Sequence, residues 1–303
     1  MMKRYPITFE IQERKPMWGR ELWLVSAHPS QPSVVANGPY AGRTLPELAA
    51  TFGAELMGAT AAGRGGFPLL VKIIESRDRL SLQVHPNEET AKLSGGDPKT
   101  EMWYVLGAEP GATLFAGLRE GVGRETLIRS LQDGTAETTV AQYEPHRGEA
   151  LFIPGGLVHA VGGGCRLYEV QQTSDTTWRL HDWNRVDAKT GLPRPLHVQE
   201  GLAAIDWSLM PPALLRAGSQ ADEDALISCA SFRFFVREFS SETMLPSCAD
   251  GFRILFAEEG SCAVRMEGAD PVSLAGDVCA LIPAGGACTV VPSGFCRLLI
   301  AEG

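Results

Sequence analysis

Apolar and polar residues alternate along residues 80–85, where three aliphatic residues are separated by Ser81, Gln83 and His85. A period of two residues is typical of a strand with one buried face. The three polar side chains therefore share the other face, which is either solvent-exposed surface or the wall of a site. Further apolar runs predict strands at residues 69–74, 102–106, 112–115 and 168–172.

Helical periodicity is limited to short segments. Apolar residues recur at helical spacing in residues 44–57 and again in residues 124–133. A short helix is expected at residues 88–93, with Asn87 as its N-cap. Elsewhere, 33 glycines and 20 prolines separate short apolar runs, a pattern that favours strands and turns over a helix bundle. The sequence therefore predicts a mainly β chain with a few short helices.

The 303 residues are 44% hydrophobic and 21% charged, as in ordinary globular proteins. A net charge of −9 gives no electrostatic support to a nucleic-acid or anionic-membrane partner, although a local group of Arg and Lys can still bind a small anion. The first residues lack the apolar core of a signal peptide, and no apolar run approaches the ~18 residues of a membrane span. Seven cysteines without a CxxC pair indicate buried free thiols, so we expect a cytoplasmic protein.

A polar, acidic stretch at residues 217–224 predicts a boundary between two domains, residues 1–224 and residues 225–303. A weak internal repeat crosses this boundary. Residues 148–156 and 276–285 both contain a glycine, an acidic residue, an apolar strand and an Ile-Pro turn, and a Cys-Arg-Leu strand follows each. The repeat indicates two β-barrels of similar design.

Four residues of the first predicted barrel have the side chains of a metal site. Gln83 and His85 project from one face of their strand, Glu101 begins an apolar strand, and His159 lies just beyond an Ile-Pro turn. Two imidazoles, a carboxylate and an amide oxygen suit Zn²⁺ with positions left open for water or substrate. A single histidine is more often structural or exposed than a ligand, so the prediction depends on the joint pattern.

The second predicted barrel lacks these side chains. Aligning the two Ile-Pro turns places Cys288 at the position of His159. Gly251 and Phe252 are expected at the position of Glu101. Because these polar side chains occur in one of the two predicted barrels and not in the other, they indicate a functional site.

A second polar cluster extends from Glu169 to residue 185 and contains Asp175, Arg179 and His181. The strand at residues 168–172 continues from the hairpin that carries His159, which would bring Glu169 towards the metal. The residues beyond it are too polar for a core strand and too rich in tryptophan for a solvated loop. A surface turn with one or two salt bridges is the alternative interpretation.

Taken together, these motifs resemble the type I phosphomannose isomerase family in its short bacterial form. The resemblance covers nearly the whole chain, although the last third matches only loosely. It implies a tandem cupin, in which an antiparallel jelly-roll barrel that binds metal is joined to a degenerate second barrel. The segments that carry the resemblance are residues 33–42 and 67–72, LSLQVHP (80–86), KTEMWYVL (99–106), IPGGLVHAVG (153–162) and QQTSDTTWRLHDWNR (171–185).

The resemblance also implies the site residues. One Zn²⁺ per chain would be bound by Gln83, His85, Glu101 and His159. Arg179 matches an essential arginine of the family, and Glu169 matches its active-site glutamate. The residues that match the substrate pocket are Ser81, Lys99 and Arg179.

The implied activity is interconversion of mannose 6-phosphate and fructose 6-phosphate through a cis-enediol. This reaction needs a base that reaches the C2 proton. Glu169 is the first choice and Asp175 the second, while His181 and Lys99 stay open. Two alternatives have other functions: an Fe(II) cupin oxygenase, and a non-catalytic tandem cupin that binds a sugar phosphate. We expect a monomer or a weak homo-oligomer with a small sugar phosphate as its partner.

Overall fold

The computed structural model describes residues 1–187, 190–216, 224–248 and 250–303. In these residues strands far outnumber helices, so the predicted mainly β fold class is confirmed. The strands are β1 (Ile7–Thr8), β2 (Gln12–Arg14), β3 (Gly19–Val25), β4 (Leu69–Ser76), β5 (Leu82–Val84), β6 (Glu101–Ala108), β7 (Leu114–Leu118), β8 (Val140–Tyr143), β9 (Glu149–Ile153), β10 (His159–Val161), β11 (Cys165–Gln172), β12 (Trp178–His181), β13 (Leu215–Arg216), β14 (Ile227–Ser228), β15 (Arg233–Phe239), β16 (Thr243–Leu245), β17 (Arg253–Arg265), β18 (Val272–Leu274), β19 (Cys279–Ile282) and β20 (Cys288–Glu302). The helices are α1 (Leu45–Phe52), α2 (Ala54–Met57), α3 (Ala59–Gly63), α4 (Ala91–Ser94), α5 (Arg124–Gln132) and α6 (Val198–Ala204).

The chain forms two compact units. One contains Met1–Gln12, Leu22–Lys72 and Ala217–Gly303, and the other contains Glu13–Glu21 and Ile73–Arg216. Most of the N-terminal segment therefore groups with the C-terminal residues, whereas the sequence was divided at residues 224 and 225. The division into a catalytic and a degenerate domain stays a prediction. The expected linker at residues 217–224 lies outside the described residues except for its last position.

The unit that contains Ile73–Arg216 is built on two antiparallel sheets. One has the strand order β12-β5-β10-β7-β8, and the other includes the order β13-β9-β6-β11-β4. Both sheets contribute to one apolar core, with Val105 and Leu151 from the second sheet and Leu114 and Val161 from the first. Two sheets closed over a shared core form the jelly-roll barrel of a cupin, as the resemblance implied.

Helices cover the outer face of the β12-β5-β10-β7-β8 sheet. Leu82 and Val84 of β5 pack in one cluster with Leu127 of α5 and Leu202 of α6. Because side chains alternate along a strand, Gln83 points to the opposite face, into the barrel. The polar face of this strand is therefore a pocket wall rather than solvated surface.

The helices differ in detail from those predicted. The helix expected at residues 44–57 is two helices, because Gly53 has a φ of 45° and ends α1. The helix α4 is shorter than expected, since the Asn87 side chain accepts hydrogen bonds from the backbone of Glu89 and Thr90 in a turn before it. None of the described helices is long and apolar enough to cross a membrane.

The other unit contains an eight-stranded antiparallel sheet, in the order β1-β19-β17-β20-β15-β14 with β16 and β18 at its sides. Its core is apolar and includes Cys288, which is 2% exposed. In this barrel Arg253 pairs with Ile282, as Glu101 pairs with Ile153 in the other.

The residue at the position of Glu101 is thus Arg253, which corrects the expectation of Gly251 or Phe252. Arg253 forms an ion pair with Glu302, its neighbour across the sheet. The second barrel therefore has an arginine paired with Glu302 at the position where the first has the carboxylate of Glu101.

Candidate metal centre and active site

Two strands and one loop of the first barrel bring His85, Glu101 and His159 together. Their ligand atoms all lie within 4.8 Å of one another, and each residue is at most 1% exposed. His85 Nε2 lies 3.2 Å from His159 Nε2 and 3.4 Å from Glu101 Oε2. His159 Nε2 lies 3.5 Å from Glu101 Oε1. Two imidazoles and a carboxylate that converge in this way are a donor set for a divalent metal such as zinc.

Backbone carbonyl groups fix the orientation of both imidazole rings. His85 Nδ1 lies 2.7 Å from the Thr176 carbonyl oxygen, and His159 Nδ1 lies 2.8 Å from the Leu157 carbonyl oxygen. A carbonyl oxygen only accepts, so Nδ1 carries the proton in each ring. Nε2 is then the unprotonated nitrogen that can bind a metal.

Gln83 lies beside the three converging residues. It pairs with His159 across the sheet, and its Nε2 lies 3.3 Å from His159 Nε2. The Ser81 hydroxyl donates to Gln83 Oε1 at 3.0 Å. The two ends of an amide are assigned from the hydrogen bonds around them. With the amide rotated by 180°, Oε1 faces the centre and the NH₂ group donates to Ser81, as a ligand role for Gln83 requires.

The electrostatics of the pocket favour the metal-binding forms of these side chains. Burial, with the Lys99 charge, lowers the pKa of His85 to about 3, and burial also lowers the pKa of His159. Burial raises the pKa of Glu101, but the nearby Lys99 charge outweighs it and holds this pKa well below the usual range. At neutral pH the site therefore has two neutral imidazoles and a carboxylate. Glu101 Oε2 is buried and has no well-aligned hydrogen bond among the described residues, although the Lys99 ammonium lies 3.1 Å away, so this oxygen can still bind a metal.

Lys99 lies at the same centre. Its ammonium nitrogen is 3.1 Å from Glu101 Oε2 and 3.2 Å from His85 Nε2, and the residue is 5% exposed. A cation this close to the predicted ligands stabilises the carboxylate and also presents a donor to any bound molecule.

Glu169, the first choice for the base, lies on the inner face of β11. It is 2% exposed and pairs with Trp103 across the sheet, two register positions from the pair formed by Gln171 and Glu101. The Trp103 indole nitrogen donates to Glu169 Oε2 at 2.8 Å, and the Trp103 ring meets the His159 ring edge-on at 5.5 Å. Trp103 therefore links the glutamate to the metal centre.

Arg179 lies opposite Gln83, on the neighbouring strand β12. One of its terminal nitrogens donates to the Pro195 carbonyl at 2.7 Å, while its buried Nε has no hydrogen-bond partner among the described residues. Within the described part of the chain Arg179 forms no ion pair. Burial, and then repulsion from Arg194, lowers its pKa. A bound anion would neutralise the guanidinium charge and accept a hydrogen bond from Nε.

Asp175 and His181, two other candidates for the base, lie in different environments. Asp175 is exposed, on the segment between β11 and β12. His181 is 6% exposed and accepts a hydrogen bond from the Trp183 backbone at 3.2 Å. Burial lowers the pKa of His181, so it is neutral at pH 7.

Two features of the site were not predicted from the sequence. Strand alternation places Trp103 and Gln171 on the inner face with Glu101 and Glu169, although neither was predicted as a site residue. This alternation was a usable signal. No sequence signal could have identified the carbonyl groups of Leu157 and Thr176, because every residue type has a backbone carbonyl.

The chain is similar to proteins of one family. The model of the phosphomannose isomerase type I catalytic domain matches residues 3–104, which include Gln83, His85, Lys99 and Glu101. A mannose-6-phosphate isomerase of Streptococcus mutans is 35% identical over 215 residues, 65% of this chain and 66% of that protein. The aligned segment thus covers just under two thirds of that relative.

Two further matches come from Bacillus subtilis. Its mannose-6-phosphate isomerase ManA is 36% identical over 217 residues, 70% of this chain and 67% of that protein. The crystal structure of a mannose 6-phosphate isomerase from this organism superposes with a TM-score of 0.85 at 25% identity, covering 99% of both chains. This chain therefore belongs to the type I phosphomannose isomerase family.

Proposed function

We propose that the protein is a zinc-dependent aldose–ketose isomerase that interconverts mannose 6-phosphate and fructose 6-phosphate through a cis-enediol. The observation that carries the proposal is the convergence of His85, Glu101 and His159 in one barrel, with both Nε2 atoms left unprotonated. The names of the relatives support the choice of substrate.

The residues present fit zinc. His85 and His159 would supply nitrogen ligands, Glu101 a carboxylate oxygen and Gln83 an amide oxygen. The buried Glu101 Oε2 makes an ion pair with Lys99 but no well-aligned hydrogen bond among the described residues, so it can also bind a metal cation. When bound, zinc would supply a Lewis acid that stabilises negative charge on the sugar oxygens.

The substrate is an anion, and the charges around the pocket can bind one. Lys99 contributes an ammonium group at the metal centre, and Arg179 contributes a guanidinium with a buried, unsatisfied Nε. Asp182 is already paired with both Arg185 and Arg194. The charge of Arg179 is therefore available for a phosphate or an oxyanion of the sugar.

Isomerisation moves one proton between neighbouring carbons. In the direction of the ketose, a base removes the proton from C2 of the open-chain aldose, and the same proton is delivered to C1 of the enediol. The hydroxyl proton at C2 leaves as the C2 carbonyl forms, and the C1 oxygen gains a proton. We assign the base to Glu169, since it faces the barrel interior beside Trp103 and is closed to bulk water.

A coupled assay with mannose 6-phosphate tests the proposal. The purified protein should contain about one zinc per chain, convert the substrate, lose activity in a chelator and recover it with zinc. Activity that is unaffected by chelation would contradict the metal assignment. Oxygen uptake with Fe(II) but no isomerisation would indicate the oxygenase alternative, and zinc-bound protein without turnover would indicate a binding module.

A further inference from the structure

Gln171 is a buried residue beside the metal centre that the proposed mechanism does not use. It lies opposite Glu101 in the β6–β11 pair and is 1% exposed. Its NH₂ group donates to two backbone carbonyls, that of Gln172 at 2.9 Å and that of Ser174 at 2.7 Å. Because both neighbours are acceptors, the orientation of the amide is fixed.

The segment bound by Gln171 is the segment that orients His85. The Ser174 hydroxyl accepts from the Thr176 backbone at 3.2 Å and donates to the Asp97 carbonyl at 3.2 Å. The Thr176 hydroxyl accepts from the Asp97 backbone at 3.0 Å. The Thr176 carbonyl is then the acceptor for His85 Nδ1, at 2.7 Å.

We propose that Gln171 is a positioning residue for the metal centre. Its amide holds the turn at residues 172–176, so that the Thr176 carbonyl accepts a hydrogen bond from Nδ1–H of His85. The proton stays on Nδ1, which leaves Nε2 as the ligand atom. Without the amide, the buried Ser174 carbonyl loses this donor, while the Gln172 carbonyl still accepts from the Ser174 backbone at 2.8 Å. The turn then relaxes around the Ser174 carbonyl to satisfy it. The inference rests on the proposed metal centre but needs no particular substrate.

The test compares Gln171→Met, which keeps the length of the side chain and removes its donors, with Gln142→Met as the matched control. Gln142 is exposed on β8. In metal-free protein, long-range ¹H–¹⁵N spectra of the imidazole rings report which nitrogen of His85 is protonated. Zinc affinity follows from competition with a fluorescent chelator.

Wild type and Gln142→Met should show a single His85 pattern with Nδ1 protonated. Gln171→Met should show a second ring form and weaker zinc binding by about 10–100-fold, as expected for a residue that orients a metal ligand. An unchanged ring pattern with zinc affinity within about twofold of wild type would overturn the proposal.

Both readouts are independent of turnover. If wild type failed to isomerise mannose 6-phosphate, the proposed function would fall while the role of Gln171 would still be decided. Gln171→Asn is a second variant in case the first does not fold. Its amide is shorter by one bond of about 1.5 Å and cannot reach both carbonyls, so the same two effects are expected.

Discussion

The Lys99 ammonium nitrogen lies 3.1 Å from Glu101 Oε2, and both side chains are buried. Glu101→Ala removes a predicted zinc ligand together with the counter-charge of Lys99. We expect loss of zinc and of activity. In metal-free protein we also expect a loss of stability of about 3–5 kcal/mol, since one member of a buried ion pair is left alone. Zinc content per chain and thermal unfolding in chelator measure the two effects.

A double variant separates the two effects. Glu101→Ala combined with Lys99→Met removes both charges, so it should regain much of the lost stability without regaining zinc. A Glu101→Ala protein that is metal-free and fully active would refute the assignment of Glu101.

Glu169→Gln tests the base. The amide still offers an oxygen to the Trp103 indole, so the fold and the zinc content should be kept. Turnover should fall by about 10²–10⁴-fold if Glu169 transfers the proton. Asp175→Asn is the comparison, because Asp175 is exposed and should change turnover little. The opposite result, a large loss with Asp175→Asn alone, would move the base to Asp175.

The faces of the strands could be predicted from the sequence alone. Alternation at residues 80–85 placed Gln83 and His85 on one side, and the structure shows that this side faces the barrel. Glu101 was predicted only to begin an apolar strand, because residues 102–106 are continuously apolar and do not show which face is buried. Strand periodicity predicts the buried face well, because a one-residue shift in register would turn every core side chain outwards.

Other features of the fold and the site depend on tertiary contacts and could not be predicted from the sequence. The helix α6 was not predicted, because Gly201 lowers the helical propensity of a short segment. In the fold a β-carbon at Gly201 would lie 2.5 Å from Leu180, so the glycine permits close packing on β12. The carbonyl partners of the two imidazoles were equally beyond prediction, since they depend on where a turn passes rather than on which residues form it.

Arg179→Ala should lower turnover while zinc is retained, because Arg179 pairs with Gln83 on the strand but is not among the converging ligands. Arg179→Lys keeps the charge and loses the planar fork, so partial activity is expected if charge dominates and little activity if bidentate hydrogen bonding dominates. Steady-state kinetics with mannose 6-phosphate, together with zinc content, separate these outcomes. Unchanged kinetics in both variants would remove Arg179 from the mechanism.

The carboxylate of Asp182 should make stability depend on pH. Burial raises its pKa, but hydrogen bonds from Arg194 and Arg185 outweigh burial and lower the pKa below the ordinary 3.8. As the pH falls, the unfolded chain takes up this proton before the folded one. The stabilisation is therefore complete above the ordinary pKa and is lost as the pH falls through the folded pKa.

Asp182→Asn should therefore lower stability at pH 7 by roughly 1.5–3 kcal/mol, the range for hydrogen bonds to charged groups. The difference from wild type should shrink as the pH falls below about 4. Thermal unfolding followed by circular dichroism from pH 7 to about pH 2.5 measures both, in the range where carboxylates titrate. Asp270→Asn, at an exposed position, is the control and should follow wild type throughout. A gap between Asp182→Asn and wild type that stays constant with pH would show that the charge of Asp182 does not stabilise the fold.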